Sequence, residues 1–195
     1  MTSTTAGQGG KVRLWQVRSG ATQAVLTDLD AWVRGCAFSP DGTLLATTSA
    51  DRTARLWRVP DGAQQAMLTG HTRAVHRCAF TPDGTLLATT SGDRTVRLWH
   101  VPDGTPQAVL TGHTDVVRGC AFSPEGTLLA TASRDGTVRV WQIPDGTTHA
   151  VLTGHGKDVS GCAFTPDGAL LVATSSDLTA RLWRVADGAA QAEPC

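Results

Sequence analysis

A tryptophan recurs every 42 residues along this chain. The positions are Trp15, Trp57, Trp99, Trp141 and Trp183. Residues 72–113 and 114–155 are identical at 28 of 42 positions, and residues 30–71 and 156–195 follow the same template. Self-similarity with a period of about 40–45 residues is typical of stacked repeat architectures. The sequence therefore predicts four repeats within a single domain, 1–195, with a partial unit over residues 1–29 in front of them.

Each repeat contains four short segments that favour strands. In residues 72–113 these are Ala74–Phe80, Thr85–Ser91, Thr95–Val101 and Thr105–Thr111. They are rich in Val, Leu, Thr, Phe and Trp, and none reaches the 10–12 residues of a convincing helix. The tripeptide Pro-Asp-Gly at 82–84 and again at 102–104 favours tight turns. Each repeat is thus predicted to be a four-stranded antiparallel meander, and the chain to be all-β.

The predicted strands carry apolar or small side chains on both faces, as in Cys78-Ala79-Phe80 and Leu86-Leu87-Ala88. A small sheet of this kind cannot bury both faces alone, so it must stack on neighbouring sheets. Sheets stacked around an axis form a β-propeller, and the sequence predicts blades of that type.

Motifs at fixed positions in the repeat point to one family. A Gly-His pair, a Ser-x-Asp element and the tryptophan follow one another, as in Gly70-His71, Ser91-Gly92-Asp93 and Trp99. The chain resembles a WD40-repeat propeller over roughly residues 9–192. One departure is that the family's Trp-Asp dipeptide is absent. The tryptophans are followed by Gln16, Arg58, His100, Gln142 and Arg184.

The resemblance implies a hydrogen-bonded tetrad inside each blade. The predicted sets are His71–Asp93–Ser91–Trp99, His113–Asp135–Ser133–Trp141 and His155–Asp177–Ser175–Trp183. The chemistry is consistent, because a buried indole N–H, hydroxyl and imidazole all need partners. The first repeat departs from the pattern, since Leu29 stands where the histidine is expected.

Ser, His and Asp together also suggest a hydrolase triad. Three copies of the set and the absence of a Gly-x-Ser-x-Gly motif argue against that enzyme class. The cysteines at 36, 78, 120 and 162 show neither a Cys-x-x-Cys pair nor a Cys/His cluster, so no metal site and no cofactor are predicted. They are expected to be small buried hydrophobic residues in a reducing cytosol.

The amino-acid composition argues against some classes of binding partner. The formal net charge is zero and the isoelectric point is about 7.0, whereas a general nucleic-acid binder needs a basic excess. No segment approaches 18 apolar residues, and the first residues, MTSTTAGQGGK, lack the apolar core of a secretory signal. We therefore expect a cytoplasmic protein that binds neither nucleic acid nor membrane. The 15 Arg against 2 Lys favour a bacterial genome rich in G and C.

The sequence favours a non-catalytic protein–protein interaction scaffold, because loops on a rigid framework carry recognition. The family resemblance implies that one face collects residues that vary between the repeats. The candidate partner-binding residues are Trp32, Arg34, His76, Arg118, Arg134 and Asp158. Two interpretations stay open for Trp32, recognition or packing beside Leu29, and a solvated face without a ligand stays open for the arginines. Alternative functions are a structural spacer or sensor module of a larger bacterial signalling protein and a hydrolase-like enzyme.

The ends of the sequence predict incomplete blades. Lys11–Val17 and Ala24–Thr27 align with third and fourth strands, residues 2–10 resemble a decayed second strand, and a fourth strand from Ala189 breaks at Pro194. Propellers have about four to eight blades, and members of this family usually about seven. Three expectations remain open: a piece of a longer repeat protein, a homodimer that closes an eight-bladed ring with strand 24–27 exchanged, or an open or small propeller.

Overall fold

The computed structural model describes the backbone of residues 2–6, 11–26 and 31–190, and the side chains of residues 11–26 and 31–190. Over these ranges the chain consists of strands, turns and irregular segments. None of these residues forms a helix long and apolar enough to cross a membrane.

The strands form five antiparallel sheets, numbered I to V in chain order. Sheet I contains β1 (Thr2–Ala6), β2 (Val12–Gln16) and β3 (Thr22–Leu26). Sheet II contains β4 (Val33–Phe38), β5 (Leu44–Ser49), β6 (Ala54–Arg58) and β7 (Gln64–Leu68). Sheet III contains β8 (Val75–Phe80), β9 (Leu86–Ser91), β10 (Val96–His100) and β11 (Pro106–Leu110). Sheet IV contains β12 (Val117–Phe122), β13 (Leu128–Ser133), β14 (Val138–Gln142) and β15 (Thr148–Leu152). Sheet V contains β16 (Val159–Phe164), β17 (Leu170–Ser175) and β18 (Ala180–Arg184).

The all-β prediction is confirmed, and the four strands of sheet III lie within one residue of their predicted bounds at each end. The incomplete first unit is also as predicted, because β1 pairs with β2 and β2 with β3 in the order of a second, third and fourth strand. In sheet V the place of a fourth strand is held by a single bridge between Trp183 and Ala190. The predicted break at Pro194 lies outside the described residues.

The Pro-Asp-Gly turns have the geometry that their sequence favours. Gly84 has a φ of 73°, a region that glycine enters without strain. The Asp83 carboxylate accepts hydrogen bonds from the Thr85 N–H at 3.0 Å and the Thr81 hydroxyl at 2.6 Å. These local bonds fix the connection between the first and second strands of sheet III.

A β-bulge interrupts the first strand of each of sheets II to V. In sheet III, Val75 pairs with Ser91 and Arg77 with Thr90, so that His76 is the extra residue. The same register shift leaves one residue unpaired in each of the other three sheets. The bulge residues are Arg34, His76, Arg118 and Ser160. A bulge increases the local twist and changes the direction of a side chain. The bulges therefore influence where the candidate partner-binding side chains point.

The core lies between successive sheets. Trp99 of sheet III is 2% exposed and packs in one cluster with Ala46, Ala54 and Leu56 of sheet II. Equivalent clusters join sheets I and II, III and IV, and IV and V. Among the described strands, contacts between sheets follow chain order, and no comparable contact joins sheet V back to sheet I. Over the described residues, the sheets are therefore blades stacked side by side in chain order, and they form an open arrangement.

Candidate functional site

A chain of hydrogen bonds crosses the interior of sheet III. The Trp99 indole N–H donates to the Thr89 hydroxyl at 2.8 Å, and the His71 Nε2 lies 2.9 Å from the same hydroxyl. At the other side of the imidazole, Nδ1 lies 2.9 Å from Asp93 Oδ2. Sheet IV repeats this arrangement with Trp141, Thr131, His113 and Asp135 at 2.8 to 2.9 Å.

A neutral histidine can form all of these hydrogen bonds. Thr89 accepts from the indole and donates to His71 Nε2, which leaves Nδ1–H to donate to Asp93. Burial lowers the pKa of His71, against the opposing effect of Asp93. Burial raises the pKa of Asp93, but hydrogen bonds from Thr95, the Thr72 N–H and His71 outweigh it and lower that pKa to about 2. A neutral imidazole and an ionised carboxylate therefore coexist at neutral pH.

The predicted tetrad needs a correction at its serine. Ser91 does not lie between the histidine and the tryptophan. Its hydroxyl lies 3.1 Å from the Arg73 carbonyl and 3.0 Å from that of Ala74, and it accepts from the Asp93 N–H at 3.1 Å. Ser133 and Ser175 likewise contact backbone carbonyls, at Asp115 and Lys157. The serines thus hold the loop before the first strand, and threonines link the aromatic rings.

The register of the strands explains why a threonine takes the place that was predicted for the serine. Trp99 pairs with Leu87, so its indole is close to Thr89, whereas Ser91 lies two residues further along at the end of β9. Two residues span about 6.6 Å along a strand, which takes the serine out of reach of the indole. A signal for the threonine was present, because Thr47, Thr89 and Thr131 each precede a repeat tryptophan by ten residues.

Sheet II has a different partner for its aspartate. The Trp57 indole donates to Thr47 at 2.8 Å, as in the later sheets. Asp51 Oδ2, however, accepts from the guanidinium of Arg55 at 2.9 Å, and the Arg55 side chain is only 5% exposed. The predicted substitution at Leu29 lies outside the described residues. A buried Arg55–Asp51 ion pair thus takes the place of the histidine–aspartate contact.

Sheet V lacks the linking hydroxyl. His155 Nδ1 contacts Asp177 Oδ2 at 2.8 Å, but Ala173 occupies the position of Thr89 and Thr131. His155 Nε2 is buried and has no hydrogen-bond partner. The His155 and Trp183 rings meet edge to face with their centroids 5.6 Å apart. The hydrogen-bond chain is therefore complete in sheets III and IV and interrupted in sheet V.

The bulges bring part of the predicted partner-binding face together. A cavity of about 420 Å³ opens at the bulged ends of the first strands. We call it the bulge pocket, and its polar and aromatic lining consists of Trp32, Arg34, His76, Arg77, Arg118 and Ser160, beside Val33. Trp32 is 59% exposed at this surface. Residues from all four of sheets II to V, or the loops before them, thus meet in one place.

The bulge pocket is positively charged. Burial, followed by the charges of Arg34, Arg118 and Arg77, lowers the pKa of His76 to about 4. The imidazole is therefore neutral at pH 7, and the three guanidinium groups carry the charge. No carboxylate of the described residues forms an ion pair with any of these three arginines.

The other two predicted face residues lie elsewhere. Arg134 and Asp158 form an ion pair with Nε and Oδ2 2.7 Å apart, and they line a separate groove beside His155. Their side chains are 43% and 35% exposed, so the pair is a surface contact of modest energy. The structure thus divides the six candidates into a group of four and a self-contained pair.

Sequence reasoning missed Arg77 as a member of the pocket. The equivalent positions in the other repeats are Gly35, Gly119 and Gly161, where the first strands approach closely. A Cβ on Gly35 would lie 3.0 Å from the His76 carbonyl oxygen. Arg77 differs from these glycines, and its guanidinium donates to the Arg34 carbonyl. The departure of one repeat from glycine was the signal that could have identified it.

Cys78, Cys120 and Cys162 lie on the same first strands, where burial disfavours the thiolate form. Burial raises the pKa of Cys120 to about 12 and also raises that of Cys78 and Cys162. Thiols in this state stay protonated and are poor nucleophiles. Over residues 11–26 and 31–190, no three His, Cys, Asp or Glu side chains are grouped in a way that could hold a metal ion.

The repeats match the family described as WD domain, G-beta repeat. The four matches cover residues 22–58, 62–100, 104–142 and 146–184. Together they span most of the chain, which therefore belongs to the WD40-repeat family. This family is typically non-catalytic, and its domains are protein-interaction scaffolds. No curated protein shows significant similarity to the chain.

The matches show how a family repeat relates to a sheet. Each begins at or just before the fourth strand of one sheet and ends with the third strand of the next, as residues 62–100 run from before β7 to the end of β10. A single family repeat therefore contributes to two neighbouring blades. Covalent continuity across each pair of blades reinforces their stacking.

Proposed function

We propose that this chain is a non-catalytic interaction scaffold whose bulge pocket is the centre of the partner-binding face. The single observation that carries the proposal is the convergence of Trp32, Arg34, His76 and Arg118 on one surface. Bulges are frequent beside functional sites, and exposed Trp and Arg side chains dominate binding hot spots. Four successive blades each supply one bulge residue, so a partner that lies across them contacts several repeats at once.

The absence of catalysis is part of this proposal. The His71 and His113 side chains are 1% exposed, and both ring nitrogens of each are engaged. A substrate therefore has no access to these imidazoles. Ser91 lies apart from His71 and binds carbonyl groups, so the nucleophile–base contact of a hydrolase is missing. We further propose a cytoplasmic location, as expected from the composition.

Selection of short, unphosphorylated peptides from a random displayed library tests the binding face. The selected peptides are expected to bind the Trp32→Ala variant at least ten-fold more weakly, because an exposed aromatic anchor is lost. Arg58→Ala is the matched control, since Arg58 is an exposed residue at the opposite end of sheet II and should leave binding unchanged. Equal binding of the peptides to the wild-type protein, Trp32→Ala and Arg58→Ala would mean that the partner-binding face does not include the bulge pocket. A selection without specific binders would favour the spacer function.

A second proposal concerns assembly, and the outer face of sheet V carries it. Val172, Ala180 and Leu182 are partly exposed there, whereas their counterparts in sheet IV, Ala130, Val138 and Val140, are at most 2% exposed. In each internal interface, such a face packs against the tryptophan face of the next sheet. Sheet I carries Trp15 at the corresponding position, so a second copy offers a complementary surface. The strand β3 pairs with β2 of its own chain here, so the proposal relies on contact between faces and does not require the strand exchange expected from the sequence.

Light scattering after size exclusion should show a mass above 20.4 kDa for the chain in solution. Leu182→Asp is expected to shift the mass towards the monomer, because it places a charge in the proposed interface. Val109→Asp is a control, since Val109 is already 46% exposed on an outer strand. A soluble monomer at high concentration would contradict self-association and favour the alternative that further repeats cover this face.

A further inference from the structure

We propose that the bulge pocket binds a phosphorylated side chain of a protein partner. This inference rests on the proposed binding face and specifies its ligand. Three features of the pocket support it. These are its positive charges, the β-bulges that direct its side chains into one cavity, and the hydrogen-bond donors that line this cavity.

A repeated β-bulge directs the pocket residues into one cavity. Each first strand carries its bulge at the same register position, which removes Arg34, His76, Arg118 and Ser160 from the ladder of paired residues. Their side chains line one cavity although they lie 42 residues apart in sequence. Three of the four positions hold a cation or an imidazole, and the fourth holds a hydroxyl. The fold thus presents two guanidinium groups and an imidazole to a single ligand, while the Ser160 hydroxyl donates to the Thr174 carbonyl at 3.1 Å.

The three arginines of the pocket form no ion pair with a carboxylate of the described residues. Arg55, by comparison, is paired with Asp51. Arg34, Arg77 and Arg118 thus place three positive charges around one cavity of a protein that carries no net formal charge. Unpaired like charges held close together favour the arrival of an anion.

The number of charges and donors fits a phosphate ester better than a carboxylate. A phosphorylated side chain carries a charge of about −1.5 to −2 and three strong acceptor oxygens. Guanidinium groups bind such oxygens through paired, charge-assisted hydrogen bonds. Three arginines around one cavity match this charge, whereas one carboxylate offers two oxygens and a single charge. The neutral His76 adds a donor that brings no further charge.

The surroundings of the pocket favour a protein over a nucleic acid. Trp32 is exposed at its edge and offers an aromatic surface to a side chain next to the phosphorylated residue. A nucleic-acid backbone is a line of phosphates and needs a basic stripe. The second groove in this chain contains an internally paired Arg134 and Asp158 instead.

Binding of an uncharged five-residue peptide with one central phosphoserine tests the inference, with NMR of the His76 ring as the readout. The phosphopeptide is expected to shift the His76 resonances in a saturable manner at low ionic strength. The unphosphorylated peptide should leave them unchanged, and a glutamate version should bind at least ten-fold more weakly. Arg34→Gln and Arg118→Gln should each weaken phosphopeptide binding at least ten-fold, while Arg58→Gln serves as the control.

Three results would overturn the inference. These are equal binding of the phosphorylated and unphosphorylated peptides, full binding to Arg34→Gln and Arg118→Gln, and tighter binding of a single-stranded oligonucleotide through the same arginines. The last result would identify a nucleic-acid site. The unphosphorylated library described above separates the two proposals, since peptides that depend on Trp32 support the binding face even when no phosphate is recognised.

Discussion

Replacing Trp99 with alanine is expected to lower the free energy of unfolding by about 3–5 kcal/mol. The indole is 2% exposed and lies between sheets II and III, where it packs with Ala46 and Leu56. Its removal deletes a large apolar contact and leaves a cavity that close-packed neighbours cannot fill. It also removes the N–H that Thr89 accepts at 2.8 Å. Urea denaturation followed by circular dichroism measures the loss.

The matched control for this prediction is Trp32→Ala. Trp32 is 59% exposed, so its removal should change stability by no more than about 0.5 kcal/mol. A Trp99→Ala protein that unfolds at nearly the wild-type urea concentration would show that the two sheets do not depend on this contact. The comparison separates the repeated, structural tryptophans from the one that lies outside the 42-residue period.

The hydroxyl between histidine and tryptophan is expected to control the stability of a blade. Thr131→Ala should destabilise the protein by about 1–3 kcal/mol, because Trp141 and His113 both lose a buried partner. The reverse change, Ala173→Thr, should stabilise it by about 1 kcal/mol, since it offers His155 Nε2 the missing hydroxyl. Midpoints of urea unfolding for the two variants measure both effects.

Thr174→Ala is a suitable control for this pair, because Thr174 is the exposed neighbour of Ala173 on the same strand. Its effect should be small beside that of Thr131→Ala. A destabilised Ala173→Thr protein would contradict the prediction and would mean that sheet V is packed around alanine. A neutral Thr131→Ala would mean that other groups satisfy the indole and the imidazole.

The family and its strands were predictable because they depend on local and periodic information. The 42-residue spacing, the Pro-Asp-Gly turns and the short β-favouring segments each repeat several times, so an error in one repeat is corrected by the others. The strands of sheet III lie within one residue of prediction for this reason. The need to stack also followed from the sequence, because side chains such as Leu87 and Ala88 are apolar on opposite faces of one strand.

The details of the hydrogen-bond chain were not predictable from motifs alone. The resemblance implied Ser91, but the register of β9 against β10 brings Thr89 to the indole instead. The ion pair of Arg55 with Asp51 is another example, since the sequence shows a missing histidine without showing what replaces it. Which polar groups meet inside a blade depends on distances of 2–3 Å, which the residue pattern does not encode.

The sequence by itself determined the repeat, the all-β blades and their stacking, because each follows from hydrophobic periodicity and turn chemistry within one 42-residue unit. Only the tertiary structure decided which residues form a shared surface. Arg34, His76 and Arg118 line one pocket because a bulge in each first strand changes the direction of one side chain. Arg134 instead forms an ion pair with Asp158. Such meetings depend on strand register and on the spacing between blades, which arise only when the sheets are packed together.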